Sequence, residues 1–572
     1  MKNSAQPCCF CAMVLDQVKK MENPSKPPSF VKKIGSIIYM EPNECPIFQL
    51  YIDSKYHNPP PQLSAQLNQY QHRRAKALST APNDLLFQSL SAWLKECDDP
   101  ESDHKCKKQG YEASNSERKL PTRLLNVSPS TNPNDLRLDD RENVKARSDR
   151  DWYIALSHCW GNTDPSKVPL HCTTRDNLET RKNRFMLDDL PKTFQDAVKV
   201  TRELGIQYLW IDSLCIIQGN GGDWDDESKK MEQVFASAYC TVAATSASDS
   251  YAGFLVEQVG HSGIYVQDHS DRKVYVSTII ANFDDDVEKA VLNRRAWVMQ
   301  ERLLSPRTIH FTSNQIYGEC GKGIYAGDRI FLRSGKQTKY FQLDPIFPNR
   351  LRRSGYAVTE EFLRDLLEDY AQRDISKPTD RAVAISGLIT RIENALESPV
   401  HHGIFEVFRH RNLLWKRCSG QKEMKRIEYE KMPPTWSWMA YQGGIQFLKN
   451  GFKELALFQN LRFERDGRAF ATTVWEFVDL STRLELGNEM RHELLDSEGW
   501  KGWIDLDEDA RLPTERNIVV LAKPTKVGTD GCDYYVLLVR PIGSQGKEYE
   551  RLGMGGIRKE CKLKNKGTGY IL

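Results

Sequence analysis

Apolar and polar positions alternate in a regular plan between residues 151 and 255. Tyr153-Ile-Ala-Leu156 is a short unbroken apolar run, the kind that forms a buried strand. Leu190-Pro191 then sets a proline where helices favour one, and Phe194, Ala197, Val198, Thr201 and Leu204 recur at spacings of three and four until Gly205. That spacing predicts a helix with one core face. Ile206 to Ile211 is a second apolar run, and Asp223 stands where it can cap a second helix whose Met231, Val234, Phe235 and Ala238 share an apolar face. Cys240-Thr-Val-Ala-Ala244 supplies a third strand. Strand, helix, strand, helix, strand with short joints predicts an open α/β core on a mainly parallel sheet with right-handed crossovers.

Outside this stretch the pattern is more varied. Residues 1–97 mix apolar segments, such as Ser36 to Met40 and Ile47 to Ile52, with the Pro59-Pro60-Pro61 break, and read as a small N-terminal region. Residues 98–150 are charged, rich in Ser, Asn and Pro and poor in aliphatics, which reads as a linker unable to bury enough surface to order itself. Tyr275 to Ile280 reads as a strand. Glu360 to Tyr370 and Arg381 to Leu396 read as helices within a helical extension over residues 321–431. Residues 432–572 turn β-like, with Asn517 to Leu521 and Tyr534 to Val539 as β-branched and aromatic runs between turn residues.

Length and composition narrow the classes. At 572 residues the chain suggests two to four domains. With 80 basic against 77 acidic residues, the net charge of +3 gives no general attraction to nucleic acid or an anionic membrane. The longest apolar stretches fall short of the about 20 residues a membrane helix needs. Cys8 to Leu15 is apolar, but Asp16 and Lys19-Lys20 follow with no small-residue cleavage site, which speaks against a signal peptide. A cytoplasmic location is the expectation, and the 14 scattered cysteines read as reduced thiols. Cys8 and Cys11 form one CxxC pair, and zinc would need two further ligands.

Four blocks resemble the fungal heterokaryon incompatibility (HET) domain family in order and spacing: Ser157-His-Cys-Trp-Gly161, Leu190 to Gln218, Asp223 to Ala244, and Arg295-Ala-Trp-Val-Met-Gln-Glu-Arg-Leu-Leu-Ser-Pro-Arg307. The resemblance covers about residues 151–320, and Tyr370 to Leu388 and Pro433 to Met439 are similar to segments that trail the domain in such proteins. It implies a role in fungal non-self recognition and a death reaction after fusion of unlike cells. Self-association or a protein partner is implied too, with no nucleic acid. The family fold is held to resemble the TIR domain, an open flavodoxin-like sheet, and some TIR proteins cleave NAD. NAD therefore enters as a candidate substrate; no cofactor follows.

Candidate site residues come from the rule that open α/β sheets bind ligands beyond the carboxyl ends of their strands. Ser157 to Gly161, Asp212-Ser213 and Thr245-Ser246 should meet there. Asp212 has two readings: a carboxylate for a ribose hydroxyl, or a cap on its own turn. Ser157, His158 and Cys159 are adjacent, and adjacent residues in extended chain face opposite sides, so His158 is poorly placed to activate either neighbour. Ser157 or His158 then lines a pocket, Trp160 packs or stacks, and Gly161 permits a sharp turn. Glu227 is the candidate catalytic acid. With Asp223 as cap, Trp224, Glu227 and Met231 would share a helix face. TIR enzymes carry a tryptophan four residues before their catalytic glutamate, whereas Trp224 and Glu227 are three apart. The alternative is that Asp225, Asp226 and Glu227 only complement the helix dipole. Gln300, Glu301 and Arg302 interrupt an apolar stretch, as a buried structural pair or with Arg302 as a ligand contact.

Overall fold

In the computed structural model, the described residues are 30–34, 37–41, 45–52, 83–99, 101–102, 120–147, 152–161, 167–255, 263–267, 273–277, 282–321, 323–326, 330–332, 351, 353–418, 424–449, 455–458, 460–478, 485–486, 491–497, 499–508, 517–525, 530–543 and 546–572. They fall into two units. One lies within Met1–Trp224, Val234–Asn293 and Ser305–Gly335, the other within Asp225–Gln233, Arg294–Leu304 and Lys336–Leu572.

In the first unit, β1 (Phe30–Ile34), β2 (Ile37–Glu41) and β3 (Cys45–Ile52) share a sheet with two later strands. Helix α1 (Asn83–Asp98) follows, then β4 (Arg123–Asn126) and β5 (Asp135–Asp140). After these come β6 (Tyr153–Ser157), α2 (Leu178–Asn183), the two-residue β7 (Phe185–Met186), α3 (Lys192–Glu203), β8 (Tyr208–Trp210) and α4 (Asp212–Cys215). Next along the chain are α5 (Trp224–Glu227), α6 (Met231–Ser237), β9 (Cys240–Ala243), β10 (Gly263–Gln267), β11 (Lys273–Ser277), α7 (Ala296–Leu303), β12 (Arg307–Phe311), β13 (Ile316–Cys320), β14 (Gly323–Ala326) and β15 (Ile330–Leu332), of which α7 and residues 225–233 belong to the second unit.

The main sheet runs β15-β14-β13-β12-β9-β6-β8-β4-β5, with β7 on the far edge. Only its centre is parallel, β12 to β9 to β6 to β8, and the flanks are antiparallel. The sheet is therefore mixed, not mainly parallel, because two hairpin systems extend the predicted core. One of them is a correction to the linker: residues 120–147 carry β4 and β5. Leu124 and Leu125 of β4, Val127 just beyond it, and Leu136 and Leu138 of β5 are all buried. Polar neighbours satisfy one another, with Asn126 Nδ2 donating to Asp139 at 3.0 Å and Ser130 Oγ to Asp135 at 2.7 Å. Average composition hides this arrangement, since five well-placed apolar side chains suffice for two short strands.

Strands β6, β8, β9 and β12 send Ile154, Leu156, Leu209, Ile211, Cys240, Val242, Ile309 and Phe311 into one core with Phe194, Ala197 and Val198 of α3. At about 25 cal/mol per Å² of apolar surface removed from water, such burial is the main stabilising term. Helix α1 joins the same core through Phe87, Leu90, Trp93 and Leu94. It is clasped at its end, where Arg307 donates to Asp98 at 2.9 Å and Tyr239 Oη donates to the other Asp98 oxygen at 2.9 Å.

In the second unit, α8 (Tyr356–Ala371) and α9 (Val383–Leu396) precede a β-rich tail. A two-residue hairpin turn at His402-Gly403 takes φ of 45° and 81°, the left-handed pair that matches strand twist. Strands Phe470–Phe477, Asn517–Pro524, Tyr534–Ile542, Glu548–Ile557 and Leu563–Ile571 pair around a closed ring, each antiparallel to the next except the last two, which are parallel. An odd number of strands demands one parallel pair. Trp415, Trp436 and Trp438 are fully buried beside them, and Trp415 Nε1 donates to the Trp436 carbonyl at 2.9 Å.

His410 sets a pH dependence for this unit. Burial, reinforced by Arg409 and opposed by the hydrogen bond to the Phe458 carbonyl, lowers its pKa from 6.5 to about 4. The unfolded chain therefore takes up a proton first as pH falls, so stability drops between about pH 6.5 and 4 by up to about 1.4 kcal/mol per pH unit. Urea unfolding across that window should show this slope in the wild type and a flatter profile in His410→Gln; equal slopes would refute the assignment.

Candidate functional site

Register fixes the strand ends. Ser157 lies opposite Ala243, Tyr153 opposite Tyr208, and Ala243 opposite His310, so β6, β8, β9 and β12 finish at one edge. Chain order at this edge is β6, then β8 on one side, then β9 and β12 on the other. Ligands in open sheets bind where the order reverses in this way.

Asp212 is the hub of the edge. Its Oδ2 accepts from Trp160 Nε1 at 2.9 Å, and its Oδ1 accepts from the Ser213 amide at 2.7 Å. His158 Nδ1 stands 3.9 Å from the same Oδ1, too far for a hydrogen bond but close enough to feel its charge. Ser157, His158 and Ser213 are buried, and Ser213 Oγ has no hydrogen-bond partner among the described residues. Gly161 turns the chain with φ of 89°, and a Cβ there would stand 2.5 Å from Asp249 Cβ.

Several residues at this edge are absent from the sequence candidates. The rings of His158 and His171 stand nearly perpendicular to that of Phe194, with centroids 5.0 and 5.2 Å from it. His171 Nδ1 lies 3.4 Å from Tyr251 Oη, and its buried Nε2 has no hydrogen-bond partner among the described residues. Burial, then Arg181, holds the His171 pKa below its ordinary value against the pull of Asp212, so the ring stays neutral. Cys172 is pushed up to about 12 by burial and by Asp212, against Arg181, which leaves a protonated and unreactive thiol. Arg181 anchors this segment by donating to the His171 carbonyl at 2.8 Å and to Thr173 Oγ1 at 3.2 Å. A His-Cys pair in irregular chain carries no periodic signal; its adjacency to Asp212 arises only from tertiary packing.

A second carboxylate-oriented imidazole sits two strands away. His310 Nε2 is 2.9 Å from Glu319, both buried, and the Phe283 ring meets His310 at 5.7 Å and Tyr317 at 5.3 Å. Tyr317 Oη donates to Asp286 at 2.5 Å. Asp286 belongs to a π-helical turn, Asp284–Glu288, a rare conformation often found at functional sites.

The remaining candidates belong to the second unit. Asp223, in the first unit, does not cap α5: its oxygens go to the Ile217 amide and to Arg123. Nor is the expected helix continuous, because Ser228–Lys230 tighten into a 3-10 turn between α5 and α6. Three residues per turn then bring Glu227 and Lys230 onto one line, and Lys230 Nζ donates to Glu227 Oε1 at 2.6 Å. Gln300, Glu301 and Arg302 are buried on α7, and Gln300 Oε1 has no hydrogen-bond partner among the described residues. Trp297 and Glu301 are four apart on that regular helix and so share its face.

Among the described residues no group of three His, Cys, Asp or Glu side chains is placed to hold a metal ion. Cys8 and Cys11 lie outside the described residues. No described helix is long and apolar enough to cross a membrane.

A mixed-sheet α/β domain with a polar, carboxylate-centred strand edge is thus the class these residues define. Residues 153–301 match the family model described as Heterokaryon incompatibility protein (HET), and this stretch is a domain of that family. No curated protein and no solved structure matches the chain.

Proposed function

We propose that the chain is a heterokaryon incompatibility effector of fungal non-self recognition and regulated cell death, and that it acts by binding and consuming NAD. The observation that carries this reading is the Asp212 cluster at the reversal of strand order, with Trp160 on one carboxylate oxygen and His158 near the other. The parallel order β8-β6-β9-β12 supports the flavodoxin-like reading that the TIR resemblance implies, and nucleotides bind such sheets at the reversal. Asp212 would take a ribose hydroxyl, and Trp160 would offer an aromatic face to a ring.

For the second unit taken by itself, NAD cleavage calls for a carboxylate that stabilises the oxocarbenium-like state as nicotinamide leaves. Glu227 is one candidate and is tied to Lys230. Glu301 is the better one, because Trp297 precedes it by the four residues that the TIR resemblance asks for, on an unbroken helix. The full chain should release nicotinamide from NAD, and Asp212→Asn should lose roughly 10- to 100-fold in kcat/KM, as misplaced binding groups commonly do. Unchanged turnover in Asp212→Asn would move the site elsewhere.

The buried state of Ser157, His158 and Ser213 favours a second reading, in which the domain signals without turnover through self-association or a protein partner. Absence of nicotinamide release at every protein concentration would select it.

A further inference from the structure

We infer that α9 is a positioning element for both acid-bearing segments of the domain, acting through Gly387 and Arg391; this rests on the reading that one of those acids serves NAD cleavage. Within the second unit, α9 packs against α7 and against the turn Ser228–Lys230. At Gly387 the approach is so close that a Cβ would stand 2.5 Å from Glu232 Cγ and 2.9 Å from Gln300 Oε1. One missing side chain thus admits two neighbours at once. Glu232 lies five residues beyond Glu227, and Gln300 immediately precedes Glu301.

One turn further along α9, Arg391 Nε donates to Glu232. The contact is partly exposed, with 34% of the Arg391 and 18% of the Glu232 side chain accessible, so its worth lies in direction more than in strength. The start of α7 is fixed by the same unit, since the Ala296 amide donates to the Asp374 carbonyl at 2.8 Å and the Asp374 amide to the Arg294 carbonyl at 2.7 Å. With α7 held at its first residue, the close contact at Gly387 restrains its later turns. Gln300 and Glu301 sit in those later turns. The tail beyond residue 336 therefore has a duty besides any sensing: it sets where the two glutamates stand.

Nothing in Gly387 or Arg391 needs to touch a ligand for this, which makes both positioning residues. The test uses the full chain carrying Gly387→Ala, Arg391→Glu, or the swap Glu232→Arg/Arg391→Glu. Amide hydrogen exchange is read over residues 225–233 and 296–303, and nicotinamide release from NAD is read as kcat and KM. Gly387→Ala should speed exchange in both segments roughly tenfold or more, since the added methyl must displace one neighbour. Arg391→Glu should speed it roughly fivefold in residues 225–233, and the swap should restore it. In both single variants kcat should fall with KM little changed, and the swap should recover kcat.

Unchanged exchange in Gly387→Ala and Arg391→Glu overturns the inference whatever the activity does. Faster exchange with undiminished kcat overturns it as well, because the segments would then move without consequence. If the wild type releases no nicotinamide, the enzymatic reading falls by itself and the exchange pattern alone decides whether α9 holds the two segments. Should Gly387→Ala fail to fold, Arg391→Glu and its charge swap decide the matter unaided.

Discussion

Arg551→Ala should destabilise the second unit by about 3–5 kcal/mol, the usual cost of stranding one member of a buried ion pair. Arg551 is wholly buried and Asp507 nearly so, joined through Nε at 2.7 Å and Nη2 at 3.1 Å. The guanidinium also donates to the carbonyls of Leu413 at 2.7 Å and Trp415 at 2.5 Å, and lies 3.6 Å from the centre of the Trp415 ring. One side chain therefore ties the ring of tail strands to the segment that leads into the buried tryptophans. Its loss opens a cavity and leaves two carbonyls and a carboxylate without a donor.

The pH profile of that variant has a definite sign. Burial raises the Asp507 pKa, and Arg551 is the principal force opposing it. Without Arg551 the folded state holds its proton to higher pH than the unfolded chain does. Stability of Arg551→Ala should thus fall further as pH rises past the ordinary carboxylate range. Guanidinium unfolding at pH 4 and pH 7 measures it. A double change to Arg551→Met with Asp507→Leu should cost less than Arg551→Ala alone, since an apolar pair leaves no charge stranded; an equal or greater cost would show that the pair is not the source of the effect.

Several elements were legible because their signals are local. Pro191 and the apolar spacing from Phe194 mark α3, and the runs at Tyr153, Ile206 and Cys240 give the three central strands. The alignment of the carboxyl ends of β6, β8 and β9 at one edge followed from parallel strands alone. The hairpin of β4 and β5 was hidden because composition over some 50 residues averages away pairs such as Leu124-Leu125. His171 and Cys172 were hidden for a different reason: they come near Asp212 by a loop packed on Arg181 and Phe194, and nothing local in the sequence marks that path. Asp223 looked like a cap from its position, but Arg123, a hundred residues earlier, takes its carboxylate.

Glu301→Gln should reduce nicotinamide release by roughly 100- to 1,000-fold in kcat, the scale lost when a preorganised electrostatic contact to a transition state is removed. Gln keeps the volume of Glu and one acceptor oxygen while the other becomes an NH2 donor, so packing on α7 changes little while the charge disappears. Glu301 is only 7% exposed and follows Trp297 by one turn of a regular helix, which fixes ring and carboxylate on the same face. Glu227 sits instead at the entry to a 3-10 turn with Lys230 on its carboxylate, so Glu227→Gln should change kcat by no more than a few fold. Urea unfolding of both variants separates chemistry from stability: an active-site acid loses kcat at an unchanged midpoint, whereas a structural pair loses its midpoint first. Full activity in Glu301→Gln together with loss in Glu227→Gln would exchange the two roles, and the shorter tryptophan spacing would then be the one that matters in this chain.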